Sequence, residues 1–356
     1  MMKILLEIKR AILLILETVA LGPSYGTFMY RVRSNKPYDS QETWDHFVKR
    51  RGRCIEWLMD NYPPKIAMWL LLHGYYRRSR SFRDHSVGIS EHYNISGDFY
   101  ELFLDKKHRF YSCADFLRNT DTLEDAQENK ADYLLNLIDP KPGERILELA
   151  CGRGGMLKKI YDKTGDRENL YGYTLAKEEK DFVDENYGFH CELRDFITTQ
   201  YDEKFFDKIL SVEGLEHARE RELLPLCKNL FNALKPGGKL VLQLVCQMDD
   251  LISARYIVGG AQIVLGAELT SVKKHLNIFE QARFRITHHS VHDFRPTIRA
   301  FFDRLVANKE AAVRLVGVRN YNKFQFYFAA SWRAFDQHDI TLVRLVLERP
   351  EEEGYQ

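Results

Sequence analysis

The chain has 356 residues, enough for two domains of ordinary size or one large domain with an appendage. Hydrophobic residues make up 45% and charged residues 29%, a globular balance that excludes a disordered or collagen-like chain. Lys+Arg is 52 and Asp+Glu is 51, so the net charge of +1 argues against a whole-protein electrostatic drive toward nucleic acid. Aromatics reach 13%, more than a core needs, and leave room for a large apolar pocket.

The charge is uneven. Residues 1–85 carry fifteen Lys/Arg and eight Asp/Glu, a net of +7, and the remainder carries −6. A basic segment on a near-neutral protein suggests a local anionic partner such as a membrane surface, or else a solvated helical face. Residues 1–90 read as helical, with segments 3–21, 41–62 and 65–76 set apart by turn residues at 22–24 and 63–64. Charges at Glu7, Lys9, Arg10 and Glu17 keep the apolar N-terminus well short of the roughly 18–20 residues a membrane span needs. An amphipathic helix is expected there. Arg77, Arg78, Arg80 and Arg83 follow the apolar run 66–72, a pairing that suits peripheral membrane contact as well as a buried helix with a polar loop. The six cysteines form no CxxC pair and match no zinc spacing, so reduced thiols and a cytoplasmic setting are expected.

From residue 140 the pattern alternates strand with helix. Strands are expected at 145–150, 170–175, 189–193, 206–212 and 239–245, with helices from about 156, at 176–186 and at 219–234. The segment 235–238, KPGG, reads as a turn. Strands spaced by helices of this length imply parallel βαβ units and an α/β, doubly wound, Rossmann-like sheet. A helical insertion at 251–280 follows strand five, then strands at 284–289 and 341–347. The tail 351–356 is expected to be disordered. This divides the chain into a basic helical region at 1–86 and a main domain at 87–350.

The strongest local signal is ELACGRGG at 148–155, a glycine turn between strand and helix. Gly152 and Gly154 let backbone approach a ligand, and the helix N-terminus favours an anionic group. The third glycine of a dinucleotide turn is missing, since Leu157 stands in its place. Glu148 at the strand end instead suits a ligand ammonium, as in S-adenosylmethionine.

The wider set of words resembles the cyclopropane fatty acid synthase-like family of S-adenosylmethionine-dependent methyltransferases. HYNISGDFY at 92–100, FLD at 103–105, YSCA at 111–114 and TLEDAQ at 122–127 precede the glycine turn. GYTL at 172–175, FDKILSV at 206–212, Glu216-His217 and LKPGG at 234–238 follow it. The resemblance covers about residues 87–349. It implies a class I methyltransferase fold with S-adenosyl-L-methionine as cofactor. Gly152 and Gly154 would border the cofactor's methionine part, Thr174 and Glu179 its ribose, and Glu192 and Leu193 its adenine. Glu179 stands where the family usually has Gln.

Glu216 and His217 follow strand four and would be the catalytic pair. The resemblance assigns them to a substrate amine in the family's N-methyltransferases. In its cyclopropane synthases the Glu helps hold a bicarbonate that acts as base. Cys113, beside Tyr111 in the substrate or anion pocket, keeps the family pattern. The strand-five His is Gln243, and the later Tyr is Phe294, which can donate no hydrogen bond. Two of three side-chain anchors are thus changed, which weakens the case for bicarbonate. Three readings follow: methyl or methylene transfer to a lipid or amphiphile, N-methylation of a small or medium-sized amine, and a non-catalytic cofactor-binding scaffold. His288, His289 and His292 raise a metal site, but the first two are adjacent and would face opposite sides of a strand, and the resemblance supplies no metal.

Overall fold

The computed structural model describes residues 36, 37, 39–48, 97–248 and 269–351, with two compact units among them. The segments expected as helices at 3–21 and 65–76, most of 41–62, the arginines at 77–83, the word at 92–96, the first part of the 251–280 insertion and the tail beyond 351 lie outside the described residues.

The sheet unit (104–248, 269–297 and 340–351) holds seven strands in the order β3-β2-β1-β4-β5-β7-β6. They are β1 Ile146–Leu149, β2 Leu170–Thr174, β3 His190–Leu193, β4 Phe206–Val212, β5 Leu234–Gln247, β6 Arg285–His292 and β7 Ile340–Glu348. The first five run parallel. Then β7 lies antiparallel to β5, and β6 antiparallel to β7. The central strands are buried along most of their length, as parallel strands covered on both faces must be. Leu147, Leu149, Ile209, Leu240 and Leu242 pack with Leu223, Leu226 and Leu230 of the helix Glu220–Ala233 in one core. Each such leucine contributes about 1.5–3 kcal/mol by leaving water.

One expected turn is corrected. Residues 235–238 extend β5 instead of ending before it. The pairing steps from Phe206↔Leu234 to Lys208↔Lys239, so the extra residues bulge out. Gly237 takes a φ of +75 there, and its N–H reaches Arg349 O at 2.9 Å.

In chain order the helices of the described residues are α1 Ser40–Val48, α2 Gly97–Tyr100, α3 Leu123–Ile138, α4 Gly155–Thr164, α5 Lys177–Asn186, α6 Glu220–Ala233, α7 Val272–Gln281, α8 Arg295–Ala307 and α9 Lys309–Asp336. The word at 122–127 is the start of α3: Thr122 and Asp125 form a reciprocal capping box. The sequence reading missed α8 and α9. Gly317 breaks α9 with φ 76 and ψ 161, which interrupts its periodicity. The helical unit comprises the described part of 36–103 together with 298–339. Its core is aromatic: Phe99, Phe103, Phe301, Phe324 and Phe328 meet mostly edge to face, and Trp44 packs on Phe302 and Trp332.

Candidate active site

Strand order reverses between β1 and β4, and the crevice beyond their carboxyl ends is where such sheets bind ligands. Two carboxylate clusters stand there.

The first follows β1. Ala150, Gly152 and Gly154 all have positive φ (52, 54 and 73), and Gly154 caps α4 in the left-handed conformation. Cys151 N–H bonds Tyr173 O at 2.8 Å, tying the turn to β2. A Cβ on Gly152 would meet nothing closer than Glu179 Oε1 at 3.9 Å. One on Gly155 would strike the Phe110 ring at 2.6 Å and His108 O at 2.9 Å. Gly155, not singled out in sequence, is therefore what admits the 105–111 loop. Asp105 shapes that loop by accepting from the N–H groups of His108 and Phe110 at 2.6 and 2.8 Å. Glu148 is 3% exposed, and among the described residues its Oε2 has no hydrogen-bond partner. Burial pushes its carboxyl up to about 8, against the pull of Lys130. A buried carboxyl with one oxygen unpartnered, beside an open glycine turn, fits the ammonium of S-adenosylmethionine.

The expected ribose pair meets directly: Thr174 Oγ1 donates to Glu179 Oε2 at 2.6 Å and accepts from Ala176 N–H at 3.1 Å. Burial raises the Glu179 carboxyl. At the end of β3, Glu192 pairs with Arg194 at 2.6 Å, while Leu193 is exposed.

The second cluster follows β4. Glu213, which the sequence reading did not single out, faces Cys113 and Gln243. β4 ends at Val212, and Glu213 turns the chain with φ 51, a strained value for a residue with a Cβ. Its Oε1 accepts from Cys113 N–H and from Gln243 Nε2, both at 2.7 Å. Its own N–H donates to Gln243 O at 2.8 Å. Burial raises the Glu213 carboxyl to about 7, although those two donors and the charges of Lys130 and Arg344 oppose the rise. Sequence matching missed Glu213 because it favoured the familiar Glu-His pair. The available signal was an acid directly after a buried parallel strand and before a glycine.

Glu216 and His217 lie in the short 3-10 turn Leu215–His217. Glu216 is buried, and its Oε2 has no hydrogen-bond partner among the described residues. Burial, then the Glu213 charge, hold its carboxyl well above the usual range. His217 is half-buried.

The 111–114 segment is held from α3, where buried Lys130 Nζ bonds Ser112 Oγ at 3.0 Å and Gln127 Nε2 bonds Ser112 O at 2.9 Å. Tyr111 and Phe294 are half-buried. The peptide before Phe294 reaches the cluster, with Cys113 Sγ donating to Asp293 O at 3.7 Å. The histidines of β6 alternate as expected: His288 and His292 share one face, bridged by Ser290 Oγ at 3.1 and 2.9 Å, and His289 takes the other. His292 pairs with Asp115 at 3.3 Å. Among the described residues no three His, Cys, Asp or Glu side chains gather as metal ligands.

Comparison with known proteins agrees with this architecture. The family model described as mycolic acid cyclopropane synthetase matches residues 80–345. The chain is 31% identical over 199 residues to a probable fatty acid methyltransferase of Pseudomonas putida, covering 51% of this chain and 45% of that relative's length. It is 28% identical over 267 residues to the hydroxymycolate synthase MmaA4 of Mycobacterium tuberculosis, covering 67% of this chain and 84% of that protein. The solved structure of the cyclopropane synthase MmaA2 from Mycobacterium tuberculosis superposes with a TM-score of 0.68 at 22% identity, over 74% of this chain and 98% of the other, a likeness in the Rossmann-like fold. With the matched residues spanning the glycine turn, Glu213 and Gln243, the chain belongs to the mycolic acid cyclopropane synthetase family.

Proposed function

We propose that this protein is an S-adenosylmethionine-dependent methyltransferase that adds a methyl or methylene carbon to an unsaturated acyl chain of a lipid. The observation that carries the cofactor is Glu148, buried and unpartnered at Oε2 beside the open Gly152 turn. Bound there, S-adenosylmethionine supplies the reactive carbon on its sulfonium. Glu148 would hold the ammonium, and Thr174 with Glu179 would meet the ribose. The acyl substrate rests on family membership and on relatives named as a fatty acid methyltransferase and a hydroxymycolate synthase. The amine reading is less well supported, because the family match and the relatives named above point to fatty acid and mycolic acid substrates. A non-catalytic scaffold would have no need of a strained, half-buried carboxylate such as Glu213 at the switch point.

The membrane is proposed as the place where the substrate is met, through the basic region 1–86. Among the described residues no helix is long and apolar enough to cross a membrane. Mass spectrometry of lipid and polar extracts, from cells with and without the gene, tests the substrate. A gain of one methylene mass in acyl chains supports the proposal. The same gain in a polar amine and not in lipids would replace it. Sedimentation with anionic liposomes, weakening as salt rises, tests the docking.

A further inference from the structure

We propose that Glu213 is the general base of the reaction, a carboxylate built into an anion cradle that in its absence would need a diffusible anion. The inference rests on the methyl-transfer reading above. Three geometric observations point to it.

The first is the cradle itself. A main-chain N–H (Cys113) and a side-chain amide (Gln243) both aim at one oxygen of Glu213. Two N–H donors on one oxygen form a site for negative charge. The second is the oxygen left over. Among the described residues Oε2 of Glu213 has no hydrogen-bond partner, and the residue keeps some solvent-accessible surface. The third is place. Gly214, the next residue, is so close to the glycine turn that a Cβ on it would meet Ala150 Cβ at 2.8 Å and Leu149 O at 3.4 Å. The chain accepts a positive φ at Glu213 to bring a carboxylate there.

The proton balance follows. The alkene π pair forms the new C–C bond to the methyl carbon as the C–S bond breaks, its electrons staying with sulfur. The carbocation so formed on the neighbouring chain carbon must lose one C–H proton. Oε2 of Glu213 takes it. The C–H pair then closes a cyclopropane if the proton leaves the delivered carbon, or forms an alkene if it leaves a neighbour. Neither outcome needs an oxidant or a reductant.

The charged and titratable groups around Glu213 are Lys130 on α3, Arg344 on β7, Cys113 with Asp115 on the preceding segment, and Glu216 on the 3-10 turn. Burial and the two cations set a carboxyl that titrates at about 7. A base of that kind is half ionised at working pH.

The test uses the full chain, labelled S-adenosylmethionine and vesicles of dioleoyl phosphatidylglycerol. Glu213→Gln should lower turnover by roughly 10²–10⁴-fold and abolish the rise of turnover with pH through about 7, with cofactor affinity by calorimetry little changed. Glu213→Gly, which suits the positive φ, opens the cradle. Carbon-13 NMR should then show labelled bicarbonate bound to Glu213→Gly and not to the wild type. Wild-type turnover should survive removal of bicarbonate. Glu213→Gln turning over within about threefold of wild type, with the pH rise intact, would overturn the proposal, since that is less than general-base loss predicts. So would bicarbonate bound to the wild-type chain. If the wild type methylates no acyl chain yet shows the expected NMR pattern, the lipid reading fails while the filled cradle stands.

Discussion

Arg344 decides which way Gln243 faces. Their Cα positions pair across β5 and β7, and Arg344 Nε donates to Gln243 Oε1 at 2.7 Å. The amide oxygen is thereby engaged, so Nε2 is the atom left for Glu213. Arg344 is itself fully buried and forked onto Asp115 at 2.6 and 3.0 Å. Burial pushes the Asp115 carboxyl up, but His292 and Arg344 outweigh it and hold it below its ordinary value. The chain Asp115–Arg344–Gln243–Glu213 is a single line of support for one oxygen.

Arg344→Lys keeps the charge and loses the fork. We expect a stability loss of about 1.5–3 kcal/mol from the lost charged hydrogen bonds. The Gln243 amide, no longer held, would favour ionised Glu213 less. The pH at which turnover rises should therefore move upward. Denaturation curves and a pH–rate profile check both effects, and an unmoved profile would show that Gln243 holds its orientation unaided.

Glu213 also leaves a mark on stability. Its carboxyl is raised from 4.5 to about 7 in the folded protein. Across that window the folded protein keeps a proton that the unfolded chain has lost, so stability falls as pH rises. Glu213→Gln has no proton to lose. Relative to wild type, its stability should gain on the order of 3 kcal/mol between about pH 4.5 and pH 8. Denaturant titrations at the two ends measure the difference, and parallel pH curves would refute it.

Glu148 predicts a proton count on binding. Burial holds it at about 8, so it is largely protonated at pH 7 in the free protein. An arriving ammonium favours the ionised form. Cofactor binding at pH 7 should thus release close to one proton, and affinity should strengthen as pH rises toward 8. Calorimetry in buffers of different ionisation enthalpy reads the number directly. Glu148→Gln should remove the release and weaken binding by roughly 10–100-fold.

Two neighbouring glycines should behave differently. Gly155→Ala places a methyl into Phe110 and the His108 carbonyl, and overpacking of this kind costs about 1–3 kcal/mol. Gly152→Ala meets no protein atom closer than 3.9 Å and bears only the strain of φ 54, about 1–2 kcal/mol. Gly152→Ala should hurt cofactor affinity more than folding, and Gly155→Ala the reverse. Thermal melts with and without S-adenosylmethionine separate them.

The βαβ rhythm and the glycine turn were legible in the sequence, because each depends on neighbours within one turn or one strand. Apolar periodicity located β1 to β4 to within a residue or two, since a buried parallel strand tolerates little else. The long helices α8 and α9 were not legible, for Gly317 and the many charges break their pattern. The 235–238 segment became a bulge within β5 because Leu234 and Lys239, on either side of it, pair with β4 while the Pro-Gly-Gly residues between them do not. The base was decided by tertiary structure alone. Only the meeting of Cys113, Gln243 and Arg344, separated by up to 231 positions in sequence, aims the Cys113 N–H and the Gln243 amide at Glu213. An N–H donor acts over about 3 Å whatever the distance along the chain, so that choice appears only once the sheet has closed.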